Sequence, residues 1–204
     1  MSASLSDSSQ SSTAQITKIC ENGDVILAVG PKVKIQVASD FLKHISPVFK
    51  AMFDSPMSEG EALRNKSPDS PITISLPEDR GEAMTRLLRI LYGADDVELG
   101  FKAFYNVIIL ADKYGMTERL KHFGSSWVRM DTDDNNSDLM YSQDCWEKLV
   151  ISYILNDNSA FFKISFRLYT LARCVINQAL ELPDKMLGLK LALAIYELRD
   201  DNEC

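Results

Sequence analysis

The run "GDVILAVG", residues 23–30, sets the first limit on the fold. Between its two glycines every residue but Asp24 is apolar. A short apolar run closed by turn residues reads as a buried strand. Past the Gly30-Pro31 turn, "KVKIQV" alternates, so that Val33, Ile35 and Val37 face in while Lys34 and Gln36 face out. The two stretches make a hairpin.

Short helices follow. "SDFLKHI" is expected to form one, capped by Ser39 or Asp40. "SPVFKAMF", residues 46–53, is expected to form a second. Ser46 can cap it, and Pro47 suits a first helical turn, where a missing N–H costs nothing. Val48, Met52 and Phe53 then share one side, with Ala51 beside them. "PITISL" alternates as a strand again and is stopped by Pro77. From there the period is helical: Met84, Leu87, Leu88 and Leu91 form one stripe, Phe104, Val107, Ile108 and Ala111 another, and Leu120, Phe123 and Trp127 a third. Hairpin, two short helices, one strand and a run of helices place a small sheet beside a helical cluster. That is an α+β arrangement.

The chain reads in four segments. Residues 1–14, "MSASLSDSSQSSTA", are serine-rich and lack the apolar pattern that would order them. Residues 15–128 hold the mixed strands and helices. Residues 129–141, around "MDTDDNNSD", form an acidic linker, and residues 142–204 are all helical. In that last segment Trp146, Leu149, Val150, Tyr153 and Ile154 make an amphipathic stripe, and Asn158 and Ser159 can cap the helix after it. "AFFKISFRLYTLARCVI" is apolar on more than one face, as for a helix covered on two sides. Pro183 starts a last helix, lined by Leu187, Leu191, Ala194, Ile195 and Leu198. These helices either complete the core or leave a groove for a partner helix.

Composition narrows the function classes. The 204 residues are 46% apolar and 25% charged, as in soluble globular chains. A net charge of −7 with no basic cluster argues against nucleic acid. No apolar run reaches the length of a membrane span, and no signal peptide is expected. Cys20, Cys145, Cys174 and Cys204 are scattered, which suits reduced thiols in cytoplasm or nucleus. On the same grounds the N-x-S triplets at Asn65 and Asn135 are read as unmodified.

Catalytic chemistry finds little support. His44 and His122 have no Cys, Asp or Glu at ligand spacing, so no metal is expected. The glycines of "GDVILAVG" are not followed by Lys-Ser/Thr, which excludes a phosphate loop, and no G-x-S-x-G elbow occurs. Asp24 reads as a turn or capping acid at a strand start. Asp131, Asp133, Asp134 and Asp138 lack the glycine and terminal glutamate of a calcium loop and read as a solvated linker. No catalytic residue, cofactor or small-molecule substrate is expected.

The stretches "GDVILAVG", "FLKHISPVFKAMF", "MSEG", "ITISLPED", "MTRLLRILYG" and "ADKYGM" together resemble a BTB/POZ domain, in the family's order and spacing. The "SPITISLPED" region, residues 70–79, is similar to BTB proteins of filamentous fungi. The resemblance implies a non-enzymatic protein-interaction module. It places Val48, Phe49, Met52 and Phe53 near a self-association face, so that one partner is a second copy. It also implies a second role, as an adaptor of a cullin-type ubiquitin ligase. In cullin-binding members a hydrophobic residue, any residue and a glutamate follow the second helix, and Met57, Ser58 and Glu59 fit that pattern. No Kelch or MATH target-reading segment accompanies it.

Two departures bear on this. Family members commonly carry His-Lys where this chain has Ala38 and Ser39. In the metazoan transcription-factor branch that lysine pairs with the acid matching Asp24, so Asp24 is expected to lack its cation. That branch also swaps an upstream helix and strand between protomers. Here only the serine-rich tail and "QITKICEN" precede the core, so a helix-packed dimer without swapping is expected.

Overall fold

The computed structural model describes residues 15–67, 70–94, 97, 99–121, 142–171 and 175–200. They fall into two compact units. One comprises the residues up to His44 and those of 49–95; the other comprises Ile45–Val48 and the residues from 96 onward.

The first unit is built on a four-stranded sheet in the order β1-β3-β2-β4, with β1 Ile16–Lys18, β2 Val25–Val29, β3 Val33–Val37 and β4 Ile72–Leu76. β2 and β3 form the expected antiparallel hairpin, which sets Leu27 opposite Ile35 and Val25 opposite Val37. Gly30 turns it at φ 57°, a left-handed conformation that suits glycine. β4 joins β2 in parallel, with Leu27 opposite Ile74. Val25, Leu27, Val29, Ile35, Val37, Ile74 and Leu76 are buried. Ile26 and Ala28 are half-buried, so β2 alternates in burial although its sequence does not.

β1 is a strand that the sequence pattern does not mark. "QITKICEN" contains a short strand, and that strand pairs in parallel with β3 of its own chain, Thr17 opposite Ile35. Three exposed residues carry too little apolar pattern to be found from sequence.

Helices α1 Ser39–Ile45, α2 Pro47–Asp54 and α3 Ser58–Arg64 lie between β3 and β4, and α4 Gly81–Leu91 follows β4. α4 buries Ala83, Met84, Leu87 and Leu88, while Leu91 of the expected stripe is half-buried. Gly81 lets α4 approach the sheet, since a Cβ there would meet Val33 Cγ2 at 2.5 Å.

The second unit holds α5 Phe101–Lys113, α6 Ser142–Ile154, α7 Asn158–Leu171, α8 Val175–Glu181 and α9 Lys185–Asp200. α5 buries Phe104, Val107, Ile108 and Ala111, as its stripe predicts. α6 packs on α5, α7 and α8, and α9 packs on α8 and α7. Cys145 through Ser152 of α6 are all buried, whereas Tyr153 is exposed. Caps differ from expectation by one residue or more. Asp157, rather than Asn158 or Ser159, accepts the Ala160 N–H at 3.1 Å to begin α7. Asp184 accepts the Leu187 N–H at 3.0 Å to begin α9. Pro183 therefore stands before the cap, not within the first turn. Phe123, Trp127 and the segments 1–14 and 129–141 lie outside the described residues.

Candidate functional site

The corner between α1 and α2 is fixed by Ser46 and Pro47. The buried Ser46 hydroxyl donates to the Tyr114 carbonyl at 2.7 Å. Tyr114 ends α5, and Gly115 after it turns at φ 67°. A Cβ on Gly115 would meet Pro47 Cγ at 2.7 Å. "SP" and "YG", far apart in sequence, thus form one local joint.

Along α2 the four residues of the expected self-association face separate. Phe49 and Phe53 are 0% and 1% exposed, with ring centroids 5.7 Å apart. They are core residues of the protomer, which corrects their placement on a face. Val48 is 38% exposed and Met52 is half-buried, one helical turn apart. The reason is the helical period: in a helix this short, residues 49 and 53 own the inner face and leave 48 and 52 beside it. At its end Asp54 receives Lys43 at 2.9 Å and Lys50 at 2.8 Å. Those two ammonium groups hold its carboxyl down at about 2.

The turn into α3 carries the second candidate pair. The Ser55 hydroxyl donates to the Met52 carbonyl at 2.8 Å and accepts the Met57 N–H at 3.2 Å. Arg64 donates to the Ser55 carbonyl at 3.1 Å. Gly60 admits this close turn, because a Cβ there would collide with the Ser55 carbonyl. Held by these bonds, Met57 is 69% exposed. Glu59 is half-buried and accepts the Ser58 hydroxyl at 2.9 Å. Its carboxyl is lowered first by its own backbone N–H and then by that hydroxyl.

Asp24 is better partnered than the sequence suggests. Its carboxylate accepts the Ser39 N–H and the Ser39 hydroxyl, each at 2.7 Å, so it caps α1 from the residue just before β2. Lys66, in the loop before β4, completes the set with an ion pair. Asp24 therefore has a cation, and the expectation that it lacks one is corrected. Burial opposes ionisation, but Lys66 and the Ser39 donors outweigh it and bring its carboxyl below the ordinary value. No sequence signal marks Lys66, since a loop lysine carries no periodicity. Beside this group the Tyr92 hydroxyl accepts the Ala38 N–H at 3.1 Å, and its ring lies against that of Phe41, centroids 4.0 Å apart and planes tilted by 43°.

These polar groups pair with one another and with the backbone, and so fix the turns and helix starts that carry them. His44 is exposed, and His122 and the Asp131, Asp133, Asp134 and Asp138 cluster lie outside the described residues. Burial pushes the Cys145 thiol up, away from the reactive thiolate. Among the described residues no His, Cys, Asp or Glu cluster is arranged to hold a metal ion, and no helix is long and apolar enough to cross a membrane.

Comparison with curated proteins finds no match. The family model of the BTB/POZ domain matches residues 16–127. That span runs from β1 through the hairpin, the α1–α2 corner and β4 to beyond α5, and includes Asp24, Ser46 and Met57. BTB domains are protein–protein interaction modules, in keeping with a site of exposed apolar and paired charged groups. With more than half of its length covered by that match, the chain belongs to the BTB/POZ domain family.

Proposed function

We propose that this protein is a non-enzymatic scaffold that associates with a second copy of itself without exchanging strands. The observation that carries the reading is the division of α2, where Phe49 and Phe53 fill the core while Val48 stays exposed and Met52 half-exposed. β1 completes its ladder on β3 of the same chain, so the reading requires no exchanged strand. Val48 and Met52 are already partly covered, so completing their burial is worth only a fraction of the about 1.5–3 kcal/mol gained by a fully exposed side chain, which suits weak dimerisation. Light scattering across a hundredfold concentration range tests the reading. A rise toward twice the protomer mass is expected, and a constant monomer mass would overturn it. The four scattered cysteines suit a compartment that keeps thiols reduced, cytoplasm or nucleus.

A second reading, an adaptor of a cullin-type ligase, is favoured by Met57. Among the described residues of its unit it is the most exposed large apolar side chain, and Glu59 follows it at the start of α3. Met57 would fill an apolar pocket on the cullin while Glu59 supplies a charged hydrogen bond. The double change Met57→Ala, Glu59→Ala should abolish cullin co-purification while leaving circular dichroism and melting temperature unchanged. If wild-type protein fails to bind a cullin at tens-of-micromolar concentration, this reading ends.

A further inference from the structure

The last helix carries a second apolar stripe. α9 turns Gly188, Leu191, Ala192 and Ile195 inward. Its orientation is pinned at Gly188, where a Cβ would collide with the Ala179 carbonyl of α8. The opposite side therefore presents Met186, Leu189 and Leu193, which are 65%, 36% and 59% exposed. At 100° per residue these three fall within one narrow sector of the helix.

Lys190 and Glu197 border the same edge of that stripe, two turns apart, with Leu193 between them. Both are exposed, and neither has an ion-pair partner among the described residues. This spacing is self-complementary. In an antiparallel pair of identical helices related by a two-fold axis, each edge meets the same edge of the partner helix, running in the opposite direction. With the axis beside Leu193, Lys190 of each copy faces Glu197 of the other. The ion pair forms twice, and Leu193 meets its own counterpart in the middle.

We propose that the exposed face of α9 is a self-association surface, on which the α9 helices of two copies lie antiparallel with reciprocal Lys190–Glu197 pairs. It rests on the reading of the chain as a self-associating protein, but uses a surface other than α2. A partner of different sequence would need an acid and a base at matching positions; a second copy has them by symmetry. Two ion pairs and a narrow apolar stripe fall short of the roughly 800 Å² per partner typical of a stable interface. The association is thus weak and depends on concentration.

Sedimentation of wild type, Lys190→Glu, Glu197→Lys and an equimolar mixture of the two variants tests this, with circular dichroism confirming that each is folded. Each variant alone sets like charges opposite each other twice and should dimerise about tenfold or more weaker than wild type. The mixture sets opposite charges together at both positions, so dimer should return as a heterodimer. Variants that dimerise like wild type, or a mixture that stays monomeric, would overturn the proposal. A parallel Val48→Glu, Met52→Glu variant separates the surfaces. If only that variant loses the dimer, self-association through α2 stands and the α9 surface fails. If only the charge variants lose it and their mixture recovers it, the α9 surface stands and α2 fails. Wild type that is monomeric throughout overturns both.

Discussion

Lys66 closes an ion pair on Asp24 from 42 positions further along the chain. It does so on a carboxylate already occupied by the amide and hydroxyl of Ser39, both at 2.7 Å. The loop before β4, the start of β2 and the start of α1 are therefore tied at one acid. Position 39, read from the resemblance as a lysine in the branch that pairs this acid, here provides an amide and a hydroxyl instead. The charge comes from elsewhere in the fold.

Asp24→Asn should lower stability at neutral pH by about 1–3 kcal/mol, the range for losing a charged hydrogen-bond acceptor. Because the folded carboxyl titrates below its ordinary value, its contribution is present above the unfolded value of 3.8. It fades as pH falls through the lower, folded value. Melting curves of wild type and Asp24→Asn should therefore converge in strong acid and separate above it. Lys66→Ala removes only one of the three interactions and should lose about 1 kcal/mol. A pH-independent gap between wild type and Asp24→Asn would contradict the ion-pair account.

The Ser46–Tyr114 joint makes a sharper demand on shape. Ser46→Ala leaves a buried carbonyl with one donor fewer and should lose about 1 kcal/mol by urea denaturation. Gly115→Ala should lose more, because it combines a left-handed backbone, costing about 1–2 kcal/mol, with a Cβ pressed against the Pro47 ring. The order of the two variants is the test.

How much was legible in sequence depends on how local the cause is. The hairpin, β4 and the stripes of α4 and α5 follow from periodicity, since burial repeats with the backbone's own period. The corner beginning at Ser46 was visible as a helix start, but the hydroxyl's partner was not, because Tyr114 comes near only once the chain has folded. The same holds for Lys66. α2 shows a different limit. Residues 48, 49, 52 and 53 are all apolar, and pattern alone cannot say which pair faces inward when the helix is only two turns long. Caps went to Asp157, one residue ahead of Asn158, and to Asp184, one residue after Pro183, because one step in helix start changes which side chain reaches the free N–H groups.

Substitutions along α2 should expose that division. Phe49→Ala or Phe53→Ala opens a cavity in a fully buried site and should lose about 3–5 kcal/mol. Val48→Ser changes an exposed position and should stay within about 0.5 kcal/mol. Chemical denaturation measures both. Equal losses at 48 and 49 would show that α2 is turned differently from the arrangement described here.

The final prediction concerns the packing that orients α9. Gly188 stands on its inner side, and a side chain there would strike the backbone of α8 rather than a movable neighbour. Gly188→Ala raises intrinsic helix propensity by about 0.8–1 kcal/mol, so an exposed helix would be stabilised by the change. Here the collision should outweigh that gain, because backbone cannot give way without separating the two helices. The variant should melt below wild type, with α8 and α9 amides exchanging faster while those of the sheet are unchanged. Asp184→Ala, which only removes the cap, should lose about 1 kcal/mol and leave the α8–α9 packing in place. A Gly188→Ala protein more stable than wild type would mean that α9 does not present Met186, Leu189 and Leu193 outward as argued above.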